Sequence, residues 1–135
     1  MRGGTAIAEA PVPSGVALGL AGALLALGAG FTARPRLGAA VFGLPRQDEA
    51  ALPYVRALGF RDVALGAALA ALALKASPRA LGLLCAASAL IPLSDMALVG
   101  SRRGREAAVS LGLHGLSAGV LTGLALALLG VGRRG

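Results

Sequence analysis

Arg61 and Asp62 stand side by side in YVRALGFRDVALG (Tyr54 to Gly66), within the opening turns of a segment otherwise apolar enough to span a membrane. A charge in such a place costs about 2.5–3.5 kcal/mol on insertion scales, so it demands a partner and marks a candidate functional site. Asp95 and His114 lie in comparably apolar surroundings farther along the chain. Together these types suit acid–base chemistry: Asp95 or Asp62 as a base, His114 as a proton donor or shuttle, and Arg61 to hold a developing oxyanion or enolate, assisted by Tyr54. The matching reaction is proton transfer beside a carbonyl, an isomerisation or a cyclisation of a lipophilic substrate arriving from the bilayer. Arg56, Ser88, Ser110 and Ser117 are candidate ligand-binding residues together with Tyr54. No HxxxH, HxH or ExxH spacing is present, so no metal is expected, and the reading requires no cofactor.

Counting from the nearest loop at about 1.5 Å per residue tests whether these groups can meet. Arg61 and Asp62 lie four and five residues into the second apolar segment, Asp95 four before the end of the third, and His114 seven into the fourth. Segments two and four begin, and segment three ends, on one side of the bilayer. All four residues therefore fall in one layer, roughly 6–10 Å below that interface. Ser110, His114 and Ser117 share a helical face, Ser88 stands seven residues before Asp95, and Tyr54 seven before Arg61. Pro92 removes the hydrogen bond to the Ser88 carbonyl and predicts a kink.

The rival reading is structural. Arg61 can extend to the headgroups, the carboxylates can tie helices together, and His114 can donate to a neighbouring carbonyl without doing chemistry. A non-catalytic structural or interaction subunit of a membrane complex is thus the alternative. An ion or proton pathway is disfavoured, because the other half of the segments carries no ionisable residue between their ends.

The elements that must position the layer follow from hydropathy. Of 135 residues 56% are hydrophobic and only 14% charged, with mean hydropathy +0.78, against roughly 25% charged in soluble domains. The expected fold is all-α: an integral membrane bundle of four transmembrane helices, with spans at about 14–31, 57–74, 80–99 and 107–131 in one domain, 14–132. Residues 1–13 form a polar tail and residues 133–135 a basic end. Between the first two spans LGAAVFGL (Leu37 to Leu44) is too short to cross and reads as an interfacial or re-entrant segment. A cleaved signal peptide with small residues at Gly28 and Gly30 competes for the first span; the weakly basic leader containing Glu9 argues against it.

Ala and Gly supply much of the apolarity while Trp is absent, which favours close helix packing over aromatic interfacial belts. Gly15–Gly19–Ala23, Gly22–Ala26–Gly30 and Gly115–Gly119–Gly123 repeat at four-residue spacing, giving packing faces suited to a neighbouring helix or a homo-oligomer. Cys85 is the only cysteine and reads as a small packing residue. The net charge of +7 is scattered between apolar segments without a basic face, which points to anionic headgroups of the lipid bilayer and not to nucleic acid. Four spans place both termini and the Lys75–Arg79 turn on one side. Seven arginines in the two loops (Arg34, Arg36, Arg46, Arg56, Arg102, Arg103, Arg105) outnumber Arg2, Lys75, Arg79, Arg133 and Arg134 on that side, which favours cytoplasmic loops and non-cytoplasmic termini.

The runs PRLGAAVFGLP, LPYVRALGFRDVALGAALAALAL and RALGLLCAASALIPLSDMALV, followed by LHG, are similar to the small four-helix membrane proteins grouped as domain of unknown function 4267. The resemblance extends from about Ser14 to the C-terminus. It rests on FGLP, on YxRxxGxRDxxxG at Tyr54 to Gly66, on PxxD at Pro92 to Asp95, and on His114–Gly115. It implies an integral membrane protein and brings no established activity with it.

Overall fold

Proline and glycine set the punctuation of the chain. The computed structural model describes residues 4–131, and every described regular element is helical. The basic end at 133–135, with Arg133 and Arg134, and Arg2 lie outside the described residues. Helix α1 (Ala6–Glu9) leads directly into α2 (Pro11–Ala33). The next break falls at Arg34, whose backbone (φ −129°, ψ 70°) leaves the helical region that a following proline disfavours, and Pro35 opens α3 (Pro35–Phe42). Helix α4 (Leu52–Lys75) follows a short 3-10 turn capped by Asp48, with Pro53 in its first turn. Ser77 caps α5 (Pro78–Ser88), which continues after a break at Ala89 as α6 (Leu90–Arg103). A turn at Gly104 (φ 53°) then leads into α7 (Ala108–Val131).

Three helical stretches are long and apolar enough to cross a membrane: Pro11–Ala33, Glu49–Lys75 and Pro78–Gly130. They point to a membrane protein. The last runs through α5, α6 and α7, and α7 packs back along both α5 and α6. The break at Ala89 divides the expected third span at the place where Pro92 leaves the Ser88 carbonyl without its helical donor.

The expected tail differs in one respect. Residues 6–9 are helical, Ala6 and Ala10 are buried, and the Ala6 amide donates to the Ala76 carbonyl at 2.6 Å. A run rich in alanine can pack closely where it meets other small side chains, and here it covers the α4–α5 turn.

The heaviest packing lies within two pairs, α2 with α4 and α5–α6 with α7. A Cβ placed on Gly28 would sit 2.5 Å from the Gly59 carbonyl oxygen, and one on Gly66 would sit 2.8 Å from that of Ala21. Backbone therefore meets backbone along the α2–α4 seam, a contact only glycine permits. The ribbons singled out by spacing lie elsewhere: Gly15, Gly19, Gly22, Gly30, Gly119 and Gly123 have open space where a Cβ would go. They face outward and do not hold this chain together.

Two apolar clusters result. The larger joins Ala17, Ala21, Leu69, Ala73, Leu81, Cys85, Leu124 and Leu128. The smaller joins Phe31, Phe42, Val99 and Ala107 near the loop end. The polar residues of α4, α6 and α7 lie between them along those helices.

Candidate functional site

Asp62 on α4 and Asp95 on α6 are buried, and Arg61 lies between their carboxylates. The Arg61 Nε donates to Asp62 Oδ1 at 3.1 Å, and its Nη2 reaches Asp95 Oδ2 at 3.4 Å. One guanidinium thus ties the two helical pairs together. His114 Nδ1 approaches the same Asp95 oxygen, lying 4.0 Å from Oδ2. The other ring nitrogen, Nε2, lies 3.0 Å from the Phe42 carbonyl oxygen. Because a carbonyl only accepts, Nε2 must carry a proton, which leaves Nδ1 as the imidazole atom facing the carboxylate. The ring of Phe42 meets His114 edge to face at a centroid distance of 5.0 Å.

The short helix α3 explains why a carbonyl is offered there. It stops at Gly43 (φ 109°), where the Leu44 amide bonds back to Ala39 and the Gly43 amide to Ala40. This left-handed stop satisfies two of the terminal carbonyls. Farther along the turn, the Phe42 carbonyl receives His114 and the Gly43 carbonyl receives Arg103 Nη1 at 3.3 Å. The segment expected as interfacial or re-entrant is therefore a cap pinned across α6 and α7, with Val41 and Phe42 turned toward the polar layer.

A cavity of about 190 Å³ opens against that layer. Its apolar wall is drawn from α2, α4, α6 and α7, including Leu20, Leu24, Leu65, Ile91 and Leu121; its polar wall is Arg61, Asp62, Asp95, His114 and Ser117. An apolar cavity of about 150 Å³ is enough for one benzene ring. Leu27, Val41 and Leu113 line it and are also 46%, 36% and 48% exposed, so the chamber reaches the outer apolar surface between α2, α3 and α7.

The candidate residues divide accordingly. Arg61, Asp62, Asp95, His114 and Ser117 meet at the cavity, and the Ser117 hydroxyl is spent on the Leu113 carbonyl at 3.0 Å. Ser110 is buried one turn away, where it packs against Gly43. Ser88 is buried in α5 and is not among the residues lining the cavity. Tyr54 is 75% exposed and Arg56 is exposed, and neither lines it. Seven-residue spacing keeps Tyr54 on the face of Arg61 but two turns, about 10 Å, along the axis.

Spacing did not reveal Phe42, because its contribution is partly a backbone oxygen. The readable signal was FGLP, a helix stop that leaves such an oxygen free. Among the described residues no three His, Cys, Asp or Glu side chains are placed to hold one metal ion.

No curated protein and no solved structure matches this chain. A family model does match, over residues 21–128, which takes in the polar layer, the α3 cap and every cavity-lining residue except Leu20. The chain belongs to the family described as domain of unknown function (DUF4267).

Proposed function

We propose that this protein crosses the bilayer four times and binds a lipophilic small molecule in the cavity beside Arg61, Asp62, Asp95 and His114. The observation that carries this reading is the placement of a charged cluster on the wall of an otherwise apolar chamber that communicates with the outer apolar surface. A brace alone needs the ion pairs but no chamber beside them. The four crossings are α2, α4, α5–α6 and α7. The α3 cap and the arginine-bearing turns lie at one end, and α1 with the α4–α5 turn at the other. The arginine count favours the first end as cytoplasmic.

The chemistry we assign is acid–base rearrangement of a carbonyl compound, an isomerisation or a cyclisation. The cluster carries one guanidinium against two carboxylates, and His114 is the remaining group able to relay a proton to or from Asp95. A carbonyl oxygen entering from the apolar side meets Arg61, whose charge favours the enolate. Asp95 then takes the neighbouring carbon-bound proton and passes it to the unprotonated His114 Nδ1, and the resulting imidazolium delivers it elsewhere on the substrate, which returns Asp95 and His114 to their starting states. Asp62 holds Arg61 in place. No cofactor enters this sequence of steps.

The test uses purified protein in neutral detergent with 2-naphthol as a binding probe and 2-tetralone as a carbonyl probe. Wild type is expected to bind the first and to catalyse deuterium uptake beside the carbonyl of the second. Asp95→Asn and His114→Ala should keep their helical circular dichroism and melting transition while losing both activities. If every such variant loses its fold, or if folded variants retain binding and exchange, the reading fails.

A second reading has its own observation. The outward ribbons at Gly15, Gly19, Gly119 and Gly123 are smooth enough for another helix, as in a structural subunit or a homo-oligomer. That reading assigns the charged layer to holding the helices, and the folded variants above would then change nothing but stability.

A further inference from the structure

A second cavity, of about 440 Å³, lies at the loop end and differs from the first in character. Its wall is made by Leu44, Pro45, Arg46, Gln47, Arg102, Arg103 and Glu106. Three guanidinium groups therefore face one carboxylate across a space of the size that holds small molecules. Arg103 is partly committed, with Nη1 on the Gly43 carbonyl at 3.3 Å and Nη2 3.5 Å from Glu106 Oε2. Arg46 and Arg102, in contrast, have no carboxylate within ion-pair distance among the described residues.

Scattered surface arginines would repel one another and spread into solvent. Here the chain gathers them. The left-handed stop at Gly43 turns the chain so that Leu44 to Gln47 pass beside the end of α6, and Gln47 braces that turn by donating to the Leu44 carbonyl at 3.2 Å. Arg103 pins the same turn from α6 through Gly43. The result is a preformed basic recess with two uncommitted planar donor forks, the geometry that suits tetrahedral oxyanions with several acceptor oxygens.

We infer that the Arg46–Arg102–Arg103 recess binds a phosphate group. In the proposed membrane arrangement it lies at the headgroup level of the Arg-rich side, where anionic lipid is at hand; a free phosphate compound from the aqueous phase presents the same chemistry. The site shares no lining residue with the apolar cavity, although α6 contributes to both walls, so its loss and the loss of lipophile binding are distinguishable.

The experiment compares wild type with Arg46→Gln, Arg102→Gln and the double variant, leaving Arg103 in place because it holds the turn. Both substituted side chains are exposed, and melting in lipid-free neutral detergent should be unchanged. Binding is read by native mass spectrometry from nanodiscs of phosphatidylcholine containing phosphatidylglycerol, and separately by titration with inorganic phosphate. Retention of phosphatidylglycerol should fall about fivefold in each single variant and roughly 25-fold in the double. Lipid retention that survives millimolar inorganic phosphate assigns the site to a headgroup. Displacement by inorganic phosphate, or direct saturable binding of it, assigns the site to a free anion. Equal retention of phosphatidylglycerol and phosphatidylcholine by wild type, without phosphate binding, overturns the inference, as does an unchanged double variant. 2-Naphthol binding should be the same in all four proteins, whichever way the phosphate result falls.

Discussion

Arg61 serves two carboxylates at once, and removing it alone should be worse than removing the whole cluster. Arg61→Met leaves Asp62 and Asp95 buried without a counter-charge, which is expected to cost about 3–5 kcal/mol and to lower the melting temperature sharply. Adding Asp62→Leu and Asp95→Leu should restore most of the loss, since apolar groups of similar volume replace a buried ion pair at little cost. A harmless single variant would mean that the ion pairs carry no weight. Much of this cluster was legible in the sequence, because depth along a helix follows from a residue count. Tyr54 and Arg56 were not separable from it by that means, since periodicity reports the face of a residue better than its distance along the axis. The Phe42 carbonyl had no side-chain signature at all.

At the scale of elements, glycines that looked alike in the sequence do different things. Gly59 lies where an added Cβ would be 2.5 Å from Thr32 Oγ1 and 2.6 Å from the Gly28 carbonyl, whereas Gly19 has nothing within 4 Å. Gly59→Ala should therefore destabilise by about 1–3 kcal/mol through forced separation of α2 and α4. Gly19→Ala should stay within about 0.5 kcal/mol of wild type. Thermal unfolding in one detergent checks both, and equal effects would mean that the α2–α4 seam is looser than described. Four-residue spacing identified smooth helix faces but not the neighbours they meet, because neighbour choice is a property of tertiary arrangement.

The stop after α3 gives a sharper case. At Gly43 (φ 109°) a Cβ would also lie 2.8 Å from Val99 Cγ1 and 2.9 Å from Ser110 Cβ. Gly43→Ala combines a left-handed backbone, costing about 1–2 kcal/mol, with a clash against α6 and α7. It should loosen the cap and make the Phe42–His114 contact labile, visible as faster amide exchange over Leu37–Leu44 than in wild type. Unchanged exchange would argue that the cap is held by other contacts.

The whole molecule is two helical pairs closed over a chamber, with a charged layer on the chamber wall and a short helix across its loop end. Breaks between helices were readable because proline and glycine mark them: Pro35, Gly43, Pro53, Pro78 and Gly104 each lie at or near one, although α4 begins at Leu52 and not near the expected 57. The packed helix at Ala6–Glu9 was not, since a few alanines and one glutamate give no periodicity until the α4–α5 turn is there to receive them. In a Cys85→Ala background, a membrane-impermeant thiol reagent should reach a cysteine at Ser77 and one at Ser101 from opposite sides of sealed vesicles. Labelling of both from one side would contradict the four-crossing arrangement.

Binding at the chamber carries the proposed function, and the triple variant Arg61→Met/Asp62→Leu/Asp95→Leu tests it most directly. Its cluster is gone while its helices should remain folded, so stability and function are separated in one protein. The measurement is 2-naphthol affinity in neutral detergent beside the melting curve of the same sample. The expected result is a wild-type-like melting transition with 2-naphthol affinity reduced at least about tenfold, the loss of roughly one good polar contact. A folded triple variant that binds the probe as tightly as wild type would show that the charged layer is a brace and not a binding site.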